Sequence, residues 1–131
     1  MKIITCFLLS LMLVTHAGSA LAESVEITQT INLYSEALKK GDVNAIKSLV
    51  DGEFYKKNRS LLEQNSNYPE FLRNHFQRLE LIVEEVLQKN DAIADVRVKV
   101  TSPNGNGYLL YLKLKYFVDG GWKIVKESRQ N

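Results

Sequence analysis

The sequence predicts an α+β domain in which three N-terminal helices pack on a curved, four-stranded antiparallel meander. Three observations carry that expectation. From Ser24 to about Gln77 the apolar residues recur at helical spacing, whereas from Leu79 to Glu127 they alternate as in strands. Short stretches rich in Gly, Asn and Asp divide the alternating half into four segments.

The chain opens with a segment of a different kind. Lys2 precedes an apolar or small run from Ile3 to Val14, and the small-residue sequence Ala17-Gly18-Ser19-Ala20-Leu21-Ala22 follows. That order is the charged region, apolar region and cleavage site of a secretory signal peptide, with the cut expected between Ala22 and Glu23. The apolar run is too short for the ~20 residues that span a hydrocarbon core, so no stable membrane anchor is expected. A lipoprotein signal needs a cysteine after the apolar region, and Cys6 lies inside it. The expected product works in the periplasm or outside the cell.

Cleavage simplifies the chemistry. Residues 23 to 131 contain no cysteine and one histidine, His75, with 16 Lys and Arg against 15 Asp and Glu, a net charge of +1. Charges of both signs are interspersed, so no nucleic-acid partner is implied. In an oxidising compartment, a cysteine-free domain of this size is held by one hydrophobic core.

The first helix is expected from Ser24 to Lys40, because Ile27, Ile31, Tyr34 and Leu38 share one face. Gly41 ends it, and Asp42 caps a short second helix with Val43, Ile46, Leu49 and Val50 inward. Gly52 breaks or bends that helix, and Phe54, Leu61 and Leu62 indicate a further helical stretch ending at Gln64-Asn65-Ser66-Asn67. The third clear helix opens at Pro69 and carries Phe71, Leu72, His75, Phe76 and Leu79.

In the strand half, Leu79 to Gln88 is apolar at Leu79, Leu81 and Val83, then slips in phase at Glu84-Glu85 before Val86, which predicts a bulge. Ala92 to Val100 alternates without interruption, with Asp95, Arg97 and Lys99 on the second face. After the loop Ser102 to Gly107, Tyr108 to Val118 is the longest strand and is expected to be central. Asp119-Gly120-Gly121 turns the chain into a last strand, Trp122 to Glu127.

Two segments carry a family resemblance. Ala37-Leu38-Lys39-Lys40-Gly41-Asp42-Val43 resembles the "kkGD" turn that ends the first helix in the nuclear transport factor 2-like superfamily. Tyr116-Phe117-Val118-Asp119-Gly120-Gly121-Trp122-Lys123-Ile124 resembles its "dGgWKI" hairpin. The resemblance covers residues 24 to 128 and is greatest to small exported domains of the lumazine-binding-like and uncharacterised periplasmic types. It implies a cystatin-like cone, a sheet curled around helices with a cavity between them. Members include isomerases, dehydratases, carriers and assembly domains, so the fold alone does not decide activity.

Candidate sites follow from this layout. Tyr34, Phe54, Phe71, His75, Glu85 and Leu112 are the candidates for lining the cavity. His75, the one histidine after the expected cleavage, is a candidate base, or else a helix residue packed by its ring. Tyr34 is either a cavity hydrogen-bonding group or core. Of the sheet carboxylates Glu80, Glu84, Glu85, Asp91, Asp95, Asp119 and Glu127, most fall on wet faces or in turns; only Glu85 shares the parity of Leu81 and Val83, and the expected bulge leaves its direction open. Arg97, Lys99, Tyr111, Lys113 and Phe117 form an aromatic and basic outer sheet face, open to a second copy or another protein, or solvated with lysine stems over the rings.

No metal-ligand spacing, nucleophile elbow or phosphate loop is present, and no cofactor is expected. The sequence therefore reads as an exported, non-enzymatic binding domain for a small apolar ligand or a protein. The alternatives are a small isomerase or dehydratase using Tyr34, His75 and Glu85, and an assembly or inhibitor protein of a periplasmic complex.

Overall fold

A computed structural model describes the chain from His16 to Gln130, with side chains from Ser24 onward. The expected leader up to Thr15 lies outside the described residues. Helix α1 (His16–Lys40) starts upstream of the expected Ser24, because Ala20, Leu21, Ala22 and Glu23 favour helix and contain no breaker. Ile27 and Ile31 are fully buried, and Tyr34, Ala37 and Leu38 nearly so.

The end of α1 closes as a Schellman turn: the Asp42 N–H donates to the Ala37 carbonyl at 2.9 Å and the Gly41 N–H to that of Leu38 at 3.2 Å. Gly41 sits at φ +64°, and a Cβ there would lie 2.3 Å from the carbonyl oxygen of Pro69. Only glycine allows both the left-handed turn and this approach of the last helix. Asp42 then caps α2 (Val43–Leu49), accepting the Ala45 N–H at 3.0 Å.

The structure has four helices where three were expected. Val50 leaves helical geometry to bridge Ile124, and Asp51, whose N–H donates to the Ile124 carbonyl at 2.9 Å, accepts the Gly52 N–H as a new cap. That restart makes α3 (Gly52–Gln64) an independent helix burying Phe54 and Leu62. Helix α4 (Tyr68–Phe76) follows, with Pro69 in its first turn and Leu72 as its one buried residue.

The sheet is a meander in the order β1 (Glu80–Asn90), β2 (Ile93–Thr101), β3 (Gly107–Phe117) and β4 (Gly121–Gln130), all antiparallel. The expected β1 bulge falls between Val83 and Glu85. Two further shifts, not expected, fall between Gln88 and Asn90 at the end of β1 and in β4, where Leu114 pairs Ile124 but Lys113 pairs Lys126, so Val125 is the extra residue. β4 also runs three residues beyond Glu127.

Directly opposed residues share a face, so each rung reads across four strands. The inner rungs are Gln88–Ala94–Leu114–Ile124, Val86–Val96–Leu112–Glu127 and Val83–Val98–Leu110–Arg129. The outer rungs are Leu87–Asp95–Lys113–Lys126, Glu85–Arg97–Tyr111–Ser128 and Ile82–Lys99–Leu109–Gln130. The helices cover the inner face: α1 packs on α2, α4 and β1, and α3 on β4. The core, which includes Val96, Val98, Val100, Leu112 and Leu114, lies between these two layers.

Candidate functional site

The cavity candidates separate into three environments. Tyr34, Phe54 and Leu112 are buried in the packed core, with the Tyr34 and Phe54 rings edge to face at 6.1 Å. Phe71 and His75 lie outside it on the exposed side of α4; Phe71 is 59% exposed and stacks on His75 at 5.7 Å, while the His75 ring meets Phe76 edgewise at 4.7 Å. Helical spacing alone could not tell which side of α4 would meet α1, and that side is the one of Leu72.

Glu85 is on the outer sheet face, not the inner one. The β1 bulge turns Glu84 and Glu85 to the same side, where Arg97 takes both: its Nε lies 3.2 Å from Glu84 Oε2 and its Nη1 3.0 Å from Glu85 Oε2. Tyr34, His75 and Glu85 thus sit in the core, on the helical surface and on the outer sheet face. They form no common site, and the acid–base set expected from the sequence is corrected on that ground.

The structure instead brings a different carboxylate, that of exposed Glu127, to the edge of the inner face. Because Val125 is bulged, Glu127 falls opposite Leu112 and Arg129 opposite Leu110, both on the inner face. They stand at the rim of the cone, where the core gives way to solvent. Burial raises the Glu127 carboxyl above the ordinary carboxylate range, and the Lys57 ammonium partly offsets this. Burial likewise pushes the Tyr34 hydroxyl well up, with Glu127 and then Tyr68 and Tyr108 adding to it. The Tyr68 hydroxyl is raised by burial and by Glu127. The Tyr108 hydroxyl is raised by burial, with Arg129 opposing and Glu127 adding. The Arg129 guanidinium lies 3.7 Å over the Tyr108 ring.

The Glu127 charge acts on three phenols; Tyr68 and Tyr108 are partly exposed and can exchange hydrogen bonds with a polar group entering the rim, whereas the Tyr34 hydroxyl lies in the packed core. Sequence reasoning missed Glu127, Arg129, Tyr68 and Tyr108. The signal was Ile124-Val125, two successive apolar residues that interrupt the alternation as Glu84-Glu85 does in β1.

The partner-face candidates lie together on the outer sheet. Arg97, Lys99, Tyr111, Lys113 and Phe117 share it with Ile82 and Leu87, each 49% exposed. A groove of about 410 Å³ runs across it, lined by Glu85, Leu87, Asp95, Arg97, Tyr111 and Lys113, among others. The Tyr111 hydroxyl donates to Gln130 Oε1 at 2.8 Å, and the Lys115 and Lys123 ammonium groups lie 5.7 and 5.9 Å from the Phe117 ring centre. Asn58, in the glycosylation-like triplet Asn58-Arg59-Ser60, lies inside α3 with its amide donated to the Phe54 carbonyl at 2.9 Å. Among the described residues no cluster of three or more His, Cys, Asp and Glu could hold a metal ion, and no helix is long and apolar enough to cross a membrane.

Helices first, then a curled antiparallel meander closing over them with polar groups at the open rim, define the nuclear transport factor 2-like fold. Among solved structures the chain is similar to an NTF-2-like protein of unknown function from Shewanella oneidensis MR-1. The two share 15% identity, with a TM-score of 0.63 over 82% of this chain and 98% of the other. No protein-family model matches the chain, and no curated protein does.

Proposed function

We propose that the chain is an exported binding domain whose outer sheet face docks a second copy of itself. The observation that carries this reading is the sheet face that no described residue covers, apolar at Ile82, Leu87 and Tyr111, with Glu84 and Glu85 on β1, Asp95 beside Arg97 and Lys99 on β2, and Lys113 and Lys126 on β3 and β4. A two-fold axis parallel to the strands lays β1 of one copy over β4 of the other. Asp95 then faces Lys113, and Arg97 faces the Tyr111 ring, each twice. The alternative two-fold axis, across the strands, would stack β3 lysines on β3 lysines. Four strands ~4.8 Å apart and about ten residues long offer roughly 650 Å² a side, of the order of the ~800 Å² found in stable pairs.

Light scattering on residues 23 to 131 tests the reading. It expects a dimer, a monomer on Asp95→Lys, and recovery in the double exchange Asp95→Lys with Lys113→Asp. A wild-type chain that stays monomeric over a wide concentration range overturns it.

A second reading rests on Glu127. Its place on the inner-face rung of Leu112, where its charge raises the partly exposed Tyr68 and Tyr108 hydroxyls, favours a small ligand with an apolar body and one polar end at the rim. Native mass spectrometry of the purified chain expects a retained small molecule that Glu127→Gln releases. A chain that carries none, and binds none from a panel of such compounds, excludes it.

A further inference from the structure

The loop between β2 and β3 contains two Asn-Gly pairs, Asn104-Gly105 and Asn106-Gly107, and the fold treats them differently. The Gly105 N–H donates to the Ser102 carbonyl at 3.0 Å. Asn104 Oδ1 accepts the Asn106 N–H at 3.0 Å and also the Ser102 hydroxyl. Both the side chain and the following amide of the first pair are therefore engaged. The Asn106 side chain is exposed and hydrogen-bonds to no described group.

The Gly107 amide meets no acceptor among the described residues, for a reason of register. Antiparallel partners alternate between hydrogen-bonded and non-hydrogen-bonded pairs. The Tyr116 N–H donates to the Ala92 carbonyl and the Ser102 N–H to that of Asn106, each at 2.8 Å, so even-numbered β2 residues form the bonded pairs. Gly107 opposite Thr101 is then a non-bonded pair, with its N–H turned toward the β4 side. There β4 pairs with β3 only as far as Leu109, opposite Gln130.

We propose that Asn106 is a site of spontaneous deamidation, and that Asn104 is protected by the loop. The Gly107 amide nitrogen attacks Asn106 Cγ and gives up its proton; the new N–C bond closes a succinimide as the Cγ–Nδ2 bond breaks and ammonia leaves. Water, the only co-reactant, opens the ring. Breaking the bond to Cγ yields aspartate, and breaking the bond to the main-chain carbonyl carbon yields isoaspartate. The labile glycine is structurally required, since a Cβ at Gly107 would lie 2.3 Å from the Val100 carbonyl oxygen. The product adds one negative charge, and isoaspartate inserts a methylene into the backbone at the entry to β3.

Ageing the folded chain at neutral pH and body temperature tests this, with fragmentation of the tryptic peptide Val100 to Lys113 locating the mass gain. Asn106 is expected to convert several-fold faster than Asn104, with isoaspartate detectable by enzymatic methylation. Asn106→Gln should remove most of the acidic isoform, and Asn104→Gln should leave it. In chaotrope-unfolded chain the two sites should convert at similar rates. Equal conversion in the folded chain, faster conversion at Asn104, or a rate ratio unchanged by unfolding overturns the proposal.

Discussion

Two of the three register shifts in the sheet, the one at Glu84 in β1 and the one in β4, are the same backbone device with opposite electrostatic results. In β1 the extra residue turns Glu84 and Glu85 to the outer face, where solvent and Arg97 satisfy both. In β4 the extra residue is Val125, and the slip carries Glu127 and Arg129 to the inner face, where burial works against the carboxylate. A bulge re-aims every side chain beyond it. What it re-aims them into decides whether the result is a weak surface ion pair or a raised carboxyl among phenols.

The two faces differ most in what they cover: Leu112→Ala on the inner face should cost about 3 kcal/mol, read as a lower urea midpoint. Tyr111→Ala beside it on the outer face should cost the monomer under about 1 kcal/mol. Equal costs would mean that the outer face is covered as thoroughly as the inner one.

Glu127→Gln separates the bulges by pH. The folded state holds this proton more tightly than the unfolded chain, so the carboxyl's contribution to stability is fully present below the ordinary glutamate range. It is lost as pH rises through the elevated folded value. The variant should therefore be more stable than wild type at neutral pH, by under about 0.5 kcal/mol given solvent access at the rim. Near pH ~4 the gain should vanish, and thermal melts across pH read it. A gain that persists in acid would place its cause elsewhere. The smallest effect belongs to the β1 bulge: Arg97→Ala should change monomer stability by about 0.5 kcal/mol or less, because its ion pairs are exposed. A larger loss would mean that the outer pairs are shielded from solvent.

Much of this architecture was legible in residue order. The β1 bulge could be placed because polar Glu84-Glu85 visibly interrupts an apolar alternation. The equivalent slip in β4 was masked, because the extra residue is itself apolar and Trp122, Ile124 and Val125 read as a strand either way. The same limit applied to α4, where Phe71, Leu72, His75 and Phe76 offer two plausible inner faces, and contact with α1 selects the one holding Leu72.

By itself the sequence determined the order of elements, the meander, the α1 turn at Gly41 and the aromatic and basic composition of the outer sheet, since each depends on local spacing or backbone freedom. The tertiary structure decided that Tyr34, His75 and Glu85 do not meet, that Glu127 turns inward, and that Asn106 rather than Asn104 is left unguarded. Those outcomes depend on register and on which element covers which face, and both arise only when distant segments pair.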